Sequence, residues 1–380
     1  MTRVLIVRGQ LVTPWELRPW AELPESFDVS YLVTPSNSFD ASSLPLKAEP
    51  VRSLRDKFPK GRLGATAAGV IGERYLDEEA DPVYARADIV HAEELSFWFA
   101  ADAARRKEKH GYKLVQTVWE TLPFGREYRN RHARKYREEV LEATDLFLPA
   151  TERARESLLL EGVDDSKITV CPPGIDATRF SVRAQEAPVQ HTILSPGRLV
   201  WEKGHQDVMR ALALLARQGT RPKLRIVGTG PEEARLLAHA RELGIDKQVE
   251  IGSVPYEEMP AVFASASCMV LGSLPLASGQ MHPFDVPHMF WEEQFGMVLA
   301  ESMAAGLDIL AADSGAIKEV LDGNGTLFPS GDWPQIAKLL KEGPLSRAPG
   351  QRVEYPAQII ERYSTTAMAG RLAAAYDSLK

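Results

Sequence analysis

The segment WEEQFGMVLAESMAAG at 291–306 sets Glu293 and Glu301 eight positions apart around Gly296, where a helix is predicted to open. Unbonded backbone N–H groups and the positive dipole end of such a helix suit a phosphate. At 1.5 Å per residue the interval spans up to about 12 Å. That leaves room for one acid to reach a sugar and the other a ribose, with a diphosphate between them. The plainer alternative is an amphipathic helix with two solvated acids. A second segment, SPGRLVWEKGHQD at 195–207, ends a strand at Gly197 and projects Arg198 and Lys203 from the turn into the next helix. Two such cations can neutralise a diphosphate, the arginine as a fork and the lysine as a point charge; on their own they are equally well read as solvated surface charges. GTGP at 228–231, with Gly230, is a weaker glycine turn that serves as well for a plain strand-to-helix bend. It lacks the GxGxxG spacing, and no GxxxxGK[ST] occurs, so dinucleotide and P-loop readings have no support.

These groups need elements that carry them to one place, and the chain supplies an alternation. VLIV at 4–7, DIVHA at 88–92, KLVQTVW at 113–119, DLFLP at 145–149 and KITVC at 167–171 read as strands, and FDVSYLV at 27–33 looks like one. Between them come helices from Leu95 to about 110, over about 126–143 and over about 151–161. The rest of 13–58 carries six prolines and no clear period. ATRFSVRAQEAPVQ reads as a linker, after which HTILSPGRL, KLRIVGTG, QVEIGSV, CMVLGS and LDILAAD form a second strand series. Val208, Ala211, Leu212 and Leu215 share one face of an intervening helix. Strands alternating with helices imply parallel sheets. The expectation is α/β: two doubly wound domains facing across a cleft, 1–177 and 190–360, with a final helix near 364–380 packing back on the first. Ligands bind beyond the carboxyl ends of such strands. That rule selects Gly9, His91, Trp119–Glu120, Gly197–Arg198, Gly228–Gly230 and the segment before 296.

With 380 residues, 44% hydrophobic and 26% charged, the chain is an ordinary folded one, and a net charge of −7 argues against nucleic acid as a partner. Cys171 and Cys268, each in an apolar stretch, read as free buried thiols; with no CxxC there is no zinc signature. No apolar run reaches 18 residues, so the expectation is a cytoplasmic protein without a spanning helix. The stretch 105–137 holds eleven Lys/Arg, a candidate contact for an anionic membrane face unless it is simply a solvated helical surface. His91 can serve an acceptor or be structural. Trp15, Trp20, Phe97, Trp98 and Phe124 can stack on a sugar or fill a core. His282 and His288, in the extended loop 273–291, are candidates for a lid.

In order and spacing, CPPGID, GRLVWEKG, IVGTGP, VEIGSV and EQFGMVLAESMAAGLDILAADSGAIKEVLDGNGTLF resemble the second domain of the retaining GT-B glycosyltransferases of family four. The resemblance is close over about 165–330, and the Glu293-to-Glu301 element is its most specific part. It implies a GT-B fold and transfer of a sugar from a nucleotide-diphosphate sugar, UDP among the bases, to an acceptor saccharide, lipid or small molecule with retention of configuration. Arg198 and Lys203 then match the pair holding the diphosphate, Glu293 the acid near the donor sugar, and Glu301 the acid on the ribose. Gln294, Phe295, Gly296, Met297 and Val298 match the helix start beneath sugar and phosphate, Ser253 and Val254 the base contacts, and Gly9 a loop approaching the phosphates. The resemblance also implies that protein cations replace a divalent metal and that no cofactor is needed, in keeping with the absence of a DxD-type cluster. Trp119–Glu120 stands where the family commonly has a histidine; with His91 they are the acceptor-side candidates. A sugar-nucleotide epimerase and a non-catalytic sugar-nucleotide-binding subunit are the rival expectations.

Overall fold

A computed structural model describes residues 1–10, 12–37, 39–57, 73–124, 131–183, 188–277 and 289–380. The chain divides into two compact units, Met1–Gly174 with Thr365–Lys380, and Ile175–Ser364.

The first unit runs β1 (Thr2–Val7), α1 (Pro14–Ala21), β2 (Phe27–Val33), β3 (Lys47–Pro50), α2 (Asp77–Tyr84), β4 (Ile89–Glu93), α3 (Trp98–His110), β5 (Lys113–Val118), α4 (Arg131–Ala143), β6 (Leu146–Pro149) and α5 (Glu152–Leu160). Its sheet is parallel in the order β3-β2-β1-β4-β5-β6. Val4, Leu5, Ile6 and Val7 of β1 are all buried because both faces of a central parallel strand are covered. One cover is the C-terminal helix Thr365–Asp377, whose Met368, Leu372 and Tyr376 join Val4, Ile6, Trp20 and Phe27 in one core cluster. α1 was not expected. Thr13 caps it, its hydroxyl accepting from the Glu16 N–H at 3.3 Å and donating to the Glu16 carboxylate at 2.5 Å, with Pro14 at the first helical position. KITVC does not form a strand. Ile168 makes an isolated parallel bridge to Phe147, and Pro172 and Pro173, which lack N–H donors, follow before a ladder can extend.

The second unit runs through the short helix α6 (Ala177–Phe180), β7 (Thr192–Pro196), α7 (His205–Arg217), β8 (Lys223–Val227), α8 (Glu233–Leu243), β9 (Val249–Gly252), α9 (Met259–Ser265) and β10 (Cys268–Leu271). It continues with β11 (Leu276–Ala277), β12 (Met289–Trp291), α10 (Met297–Ala305), β13 (Asp308–Ala312), α11 (Ile317–Leu321), β14 (Thr326–Phe328), α12 (Trp333–Glu342) and α13 (Ala357–Arg362). The main sheet, β14-β13-β10-β7-β8-β9, repeats the first topology, and β11 pairs antiparallel with β12 beside it. α7 buries Val208, Ala211, Leu212 and Leu215, the face its spacing predicts. α6 lies within the stretch expected to be a linker, anchored by buried Phe180.

In each sheet the strand order reverses once, between β1 and β4 in the first unit and between β7 and β10 in the second. The crevice at the carboxyl ends beside such a reversal is where open α/β sheets take ligands.

Candidate active site

At the reversal point of the second unit three turns meet. The turn after β7 carries Gly197, Arg198 and Lys203, and the turn after β10 carries Gly272 and Ser273. Backbone approach makes this possible. A Cβ on Gly204, which has φ +66°, would lie 1.8 Å from the Gly272 carbonyl oxygen, so only glycine lets the turns touch. The Leu274 N–H seals them by donating to the Glu202 carbonyl at 2.7 Å. The third turn brings Glu293, whose carbonyl accepts from the Ala316 N–H at 2.9 Å.

These turns bring Lys203 and Glu293 together. The ammonium lies 2.6 and 2.9 Å from the two carboxylate oxygens, with both side chains nearly buried. The Trp291 ring, from β12, sits 5.3 Å from the same ammonium. Ser273, fully buried, donates its hydroxyl to the Glu293 carboxylate at 2.6 Å. Arg198 does not join the group. Its side chain is 65% exposed and reaches Glu202 only at 3.9 Å, which leaves it able to turn towards a ligand. The turn it rides on is held from below by His205. The buried imidazole bonds Ser195 Oγ at 2.9 Å and donates from Nε2 to the Arg198 carbonyl at 3.2 Å, and burial lowers its pKa to about 4, so it is neutral.

Gly296, at φ +76°, starts α10, as the sequence predicts. Phe295 is buried edge-on to Tyr363 at 5.3 Å, so its backbone, and not its ring, is the part a ligand can use; Gln294, Met297 and Val298 are half-buried. Glu301 stands apart from the Lys203 group. Buried in α10, it accepts from the Tyr256 hydroxyl at 3.1 Å. Burial raises its pKa to about 7, against the lowering effects of that hydroxyl and of the Arg179 charge. Arg179 in turn lies 5.4 Å from the centre of the Tyr256 ring. Ser253, exposed, and Val254, half-buried, follow β9 just before the Tyr256 turn, and Gly230 crosses beneath the β7 turn, where a Cβ would lie 2.3 Å from the Leu199 carbonyl oxygen. Tyr256, His205 and Ser273 were not singled out from sequence.

At the reversal point of the first unit the cations are committed. Arg8, 6% exposed at its side chain, donates Nε to Glu93 at 2.7 Å and lies 3.6 Å from Glu16. Gly9 packs under the Phe99 ring. The Trp119 indole N–H also donates to Glu93, at 2.5 Å, while the Trp119 backbone N–H donates to Glu94 at 3.1 Å. Glu94 itself has φ +62°, an uncommon conformation for a non-glycine residue. Loss of water, with the Glu120 and Glu93 charges beside it, pushes its carboxyl well up.

Two acceptor-side expectations are corrected. His91 does not end its strand; it is the third residue of β4 and 2% exposed. Its ring nitrogens are taken by the Tyr376 hydroxyl at 2.6 Å and Thr117 Oγ1 at 2.7 Å, and burial, helped by the Arg8 charge, depresses its pKa to about 3. It is a neutral structural group tying the C-terminal helix to the sheet. Glu120 pairs with Arg137 of α4, which also donates to Glu161 at 2.6 Å, so it is engaged within the unit. Of the proposed stacking aromatics, Trp20 is buried, whereas Phe97 and Phe124 are exposed.

At least six of the eleven cations of the basic stretch are paired with acids, some on the same helix and most on other elements. Arg105, Arg106, Lys107, Lys109, Lys135 and Arg137 all form ion pairs, with Glu139, Asp77, Asp81, Asp102, Asp145, Glu120 and Glu161 among their partners. Arg126, Arg129, His282 and His288 lie outside the described residues. Both cysteines are free and buried, which raises Cys171 to about 11 and Cys268 to about 12. Among the described residues no helix is long and apolar enough to cross a membrane, and no group of three or more His, Cys, Asp or Glu is arranged to hold a metal.

Comparison with known proteins agrees in sequence and in fold. The model described as glycosyl transferases group 1 matches 178–353, and that of glycosyltransferase family 4 matches 24–179. WcaL of Escherichia coli, named as a colanic acid biosynthesis glycosyltransferase, is 31% identical over 73% of this chain and 66% of its own length. The amylovoran biosynthesis glycosyltransferase AmsK of Erwinia amylovora is 27% identical over 74% of this chain and 67% of its own. This chain therefore spans about two thirds of the length of those relatives. A D-inositol 3-phosphate glycosyltransferase of Nocardia farcinica is 29% identical over 51% of this chain and 44% of its own. Anabaena HepE, solved with UDP and glucose, superposes with a TM-score of 0.75 over 100% of both chains at 16% identity, which shows the shared fold. Matched by both family models along most of its length, and built from two units of the same doubly wound topology, the chain has the GT-B fold and belongs to the group 1 glycosyltransferases of family four.

Proposed function

We propose that the chain transfers a sugar from a nucleoside-diphosphate sugar to an acceptor hydroxyl with retention of anomeric configuration and without a divalent metal. The observation that carries this reading is the second unit's reversal point, where Lys203 and exposed Arg198 stand on one turn beside Glu293 and the glycine-opened α10. Two cations there offset the charge that grows on a departing diphosphate, an effect worth most where water is scarce. The Phe295–Val298 backbone supplies the helix start, Glu293 the contact to the sugar, and Glu301, with Tyr256 beside it, the contact to the ribose. In the step itself the acceptor oxygen bonds to the anomeric carbon on the face the phosphate leaves. The carbon–phosphate-oxygen bond breaks, and the acceptor proton passes to the departing phosphate oxygen, so no protein base is required.

The HepE structures holding UDP, with glucose or as UDP-glucose, support a nucleotide sugar as co-substrate. The test is product formation from UDP-, GDP-, ADP- and TDP-sugars with a panel of saccharide and lipid acceptors in EDTA, the linkage read by NMR. A product with the donor's anomeric configuration is expected. Conversion of the sugar nucleotide without an acceptor points to an epimerase, and an inverted linkage contradicts the mechanism.

A further inference from the structure

The Lys203–Glu293 pair raises a problem that the donor-site reading does not solve. In the ligand-free protein the ammonium already holds both carboxylate oxygens and faces the Trp291 ring. A diphosphate that takes Lys203 removes the only cation paired with Glu293 among the described residues. Glu293 is then a carboxylate 5% exposed, at the point where a sugar must be met with fixed geometry. A charged side chain so placed needs a remaining partner to stay both ionised and oriented.

Ser273 is placed to be that partner. Its hydroxyl has one proton, and it points at the Glu293 carboxylate from 2.6 Å. Its own position is fixed three ways. The residue is fully buried, its carbonyl accepts from Ser330 Oγ at 3.2 Å, and the preceding Gly272 is locked against Gly204. The Glu293 backbone is held independently by the Ala316 N–H, and a Cβ on Gly315 would lie 2.0 Å from the Glu293 carbonyl oxygen. The carboxylate is therefore the part free to swing when Lys203 leaves, and among the described residues Ser273 is its remaining hydrogen-bond donor.

We propose that Ser273 is a positioning residue for the donor sugar: it retains the Glu293 carboxylate when a diphosphate draws Lys203 away, so that Glu293 meets the sugar hydroxyls in a set orientation. This rests on the donor-site reading above. Ser273 matters little to the ligand-free protein, where Lys203 also holds Glu293, and little to a bound nucleoside diphosphate, because water fills the vacant sugar position and solvates the carboxylate. It matters when a sugar is present.

The experiment compares UDP with UDP-glucose, and GDP with GDP-mannose, by calorimetric titration of wild type, Ser273→Ala and Ser273→Thr. Ser273→Ala is expected to keep the Kd of whichever nucleoside diphosphate binds wild type within about twofold, and to weaken its sugar nucleotide by about tenfold, the worth of one hydrogen bond to a charged group. kcat should fall with it, and Ser273→Thr, which keeps the hydroxyl, should recover most of both. Should Ser273→Ala not fold, Ser273→Cys keeps the side chain's branching and weakens the donor for the same comparison. Equal weakening of diphosphate and sugar nucleotide, or unchanged preference for the sugar nucleotide, overturns the inference and leaves the donor site standing. Failure of wild type to bind any nucleoside diphosphate overturns the donor site itself, and this inference with it.

Discussion

The two reversal points share a topology and differ in what their cations do. In the second unit Arg198 is open to solvent, and Lys203 rests on a single carboxylate that another hydrogen-bond donor can retain. In the first, Arg8 lies between Glu93 and Glu16, and Arg137 between Glu120 and Glu161. A cation with one acid partner can be exchanged to a diphosphate; a buried cation with two cannot be released without stranding both acids. The same strand order thus carries exposed or exchangeable cations in one unit and cations committed to paired acids in the other. Fold alone does not decide which, because the deciding residues sit in the turns.

The largest expected effect tests the rigid side. Arg137→Met removes the buried cation that Glu120 and Glu161 share, and unfolding free energy should drop by about 3–5 kcal/mol. A loss under about 1 kcal/mol in chemical denaturation, the range of an exposed pair, would show that these acids are not held as described. On the exchangeable side, Arg198→Ala and Lys203→Ala should each lower kcat by about 100-fold, roughly 2.7 kcal/mol, and lower donor affinity less, because their value rises as the leaving group gains charge. Steady-state kinetics showing wild-type turnover in either variant breaks the contrast.

Smaller effects sharpen it. Glu120→Gln should lower stability by about 1–2 kcal/mol through its weakened bond to Arg137, while acceptor KM stays in place. A raised acceptor KM with unchanged melting would return Glu120 to the acceptor. The weakest effect is the pH response of Glu301, whose raised pKa of about 7 means that its ionised form is disfavoured in the folded, ligand-free chain. The folded state then holds a proton that the unfolded chain releases between the ordinary carboxylate range and pH 7. Stability therefore falls as pH rises through that window and is regained on acidification. If the ionised carboxylate receives the ribose hydroxyls, nucleotide affinity instead rises with pH, by at most about tenfold from pH 6 to 8. Glu301→Gln should flatten both curves, in titrations and melts run across that range.

The parts of this account legible in the sequence are those carried by local pattern. Apolar runs marked nearly every central strand, and Gly296 between two acids marked the start of α10. Arg198, Lys203 and Glu293 were recognisable by residue type and by order. KITVC misled because an apolar run counts as a strand only where a ladder continues, and two prolines follow it. In the 13–58 stretch the capping pattern Thr13-Pro14-Trp15-Glu16 was the available signal for α1, and β3, with its charged sequence KAEP, offered none. The roles of His91 and Glu120 were not legible, because they depend on Tyr376 and Arg137, residues distant in the chain. Ser273 and Tyr256 act on Glu293 and Glu301, 20 and 45 positions away, and no local spacing encodes such a contact.

The claim at the centre is that a diphosphate binds at the second unit's reversal point by taking over Lys203. Its most direct test is titration of UDP, GDP, ADP and TDP, in EDTA, into wild type, Lys203→Ala and, as a control in the ion-paired basic stretch, Arg105→Ala. The account predicts that at least one nucleoside diphosphate binds wild type once per chain without metal, that Lys203→Ala weakens it by about tenfold or more, and that Arg105→Ala leaves it unchanged. Absence of binding by all four, or the same Kd in Lys203→Ala as in wild type, would contradict it.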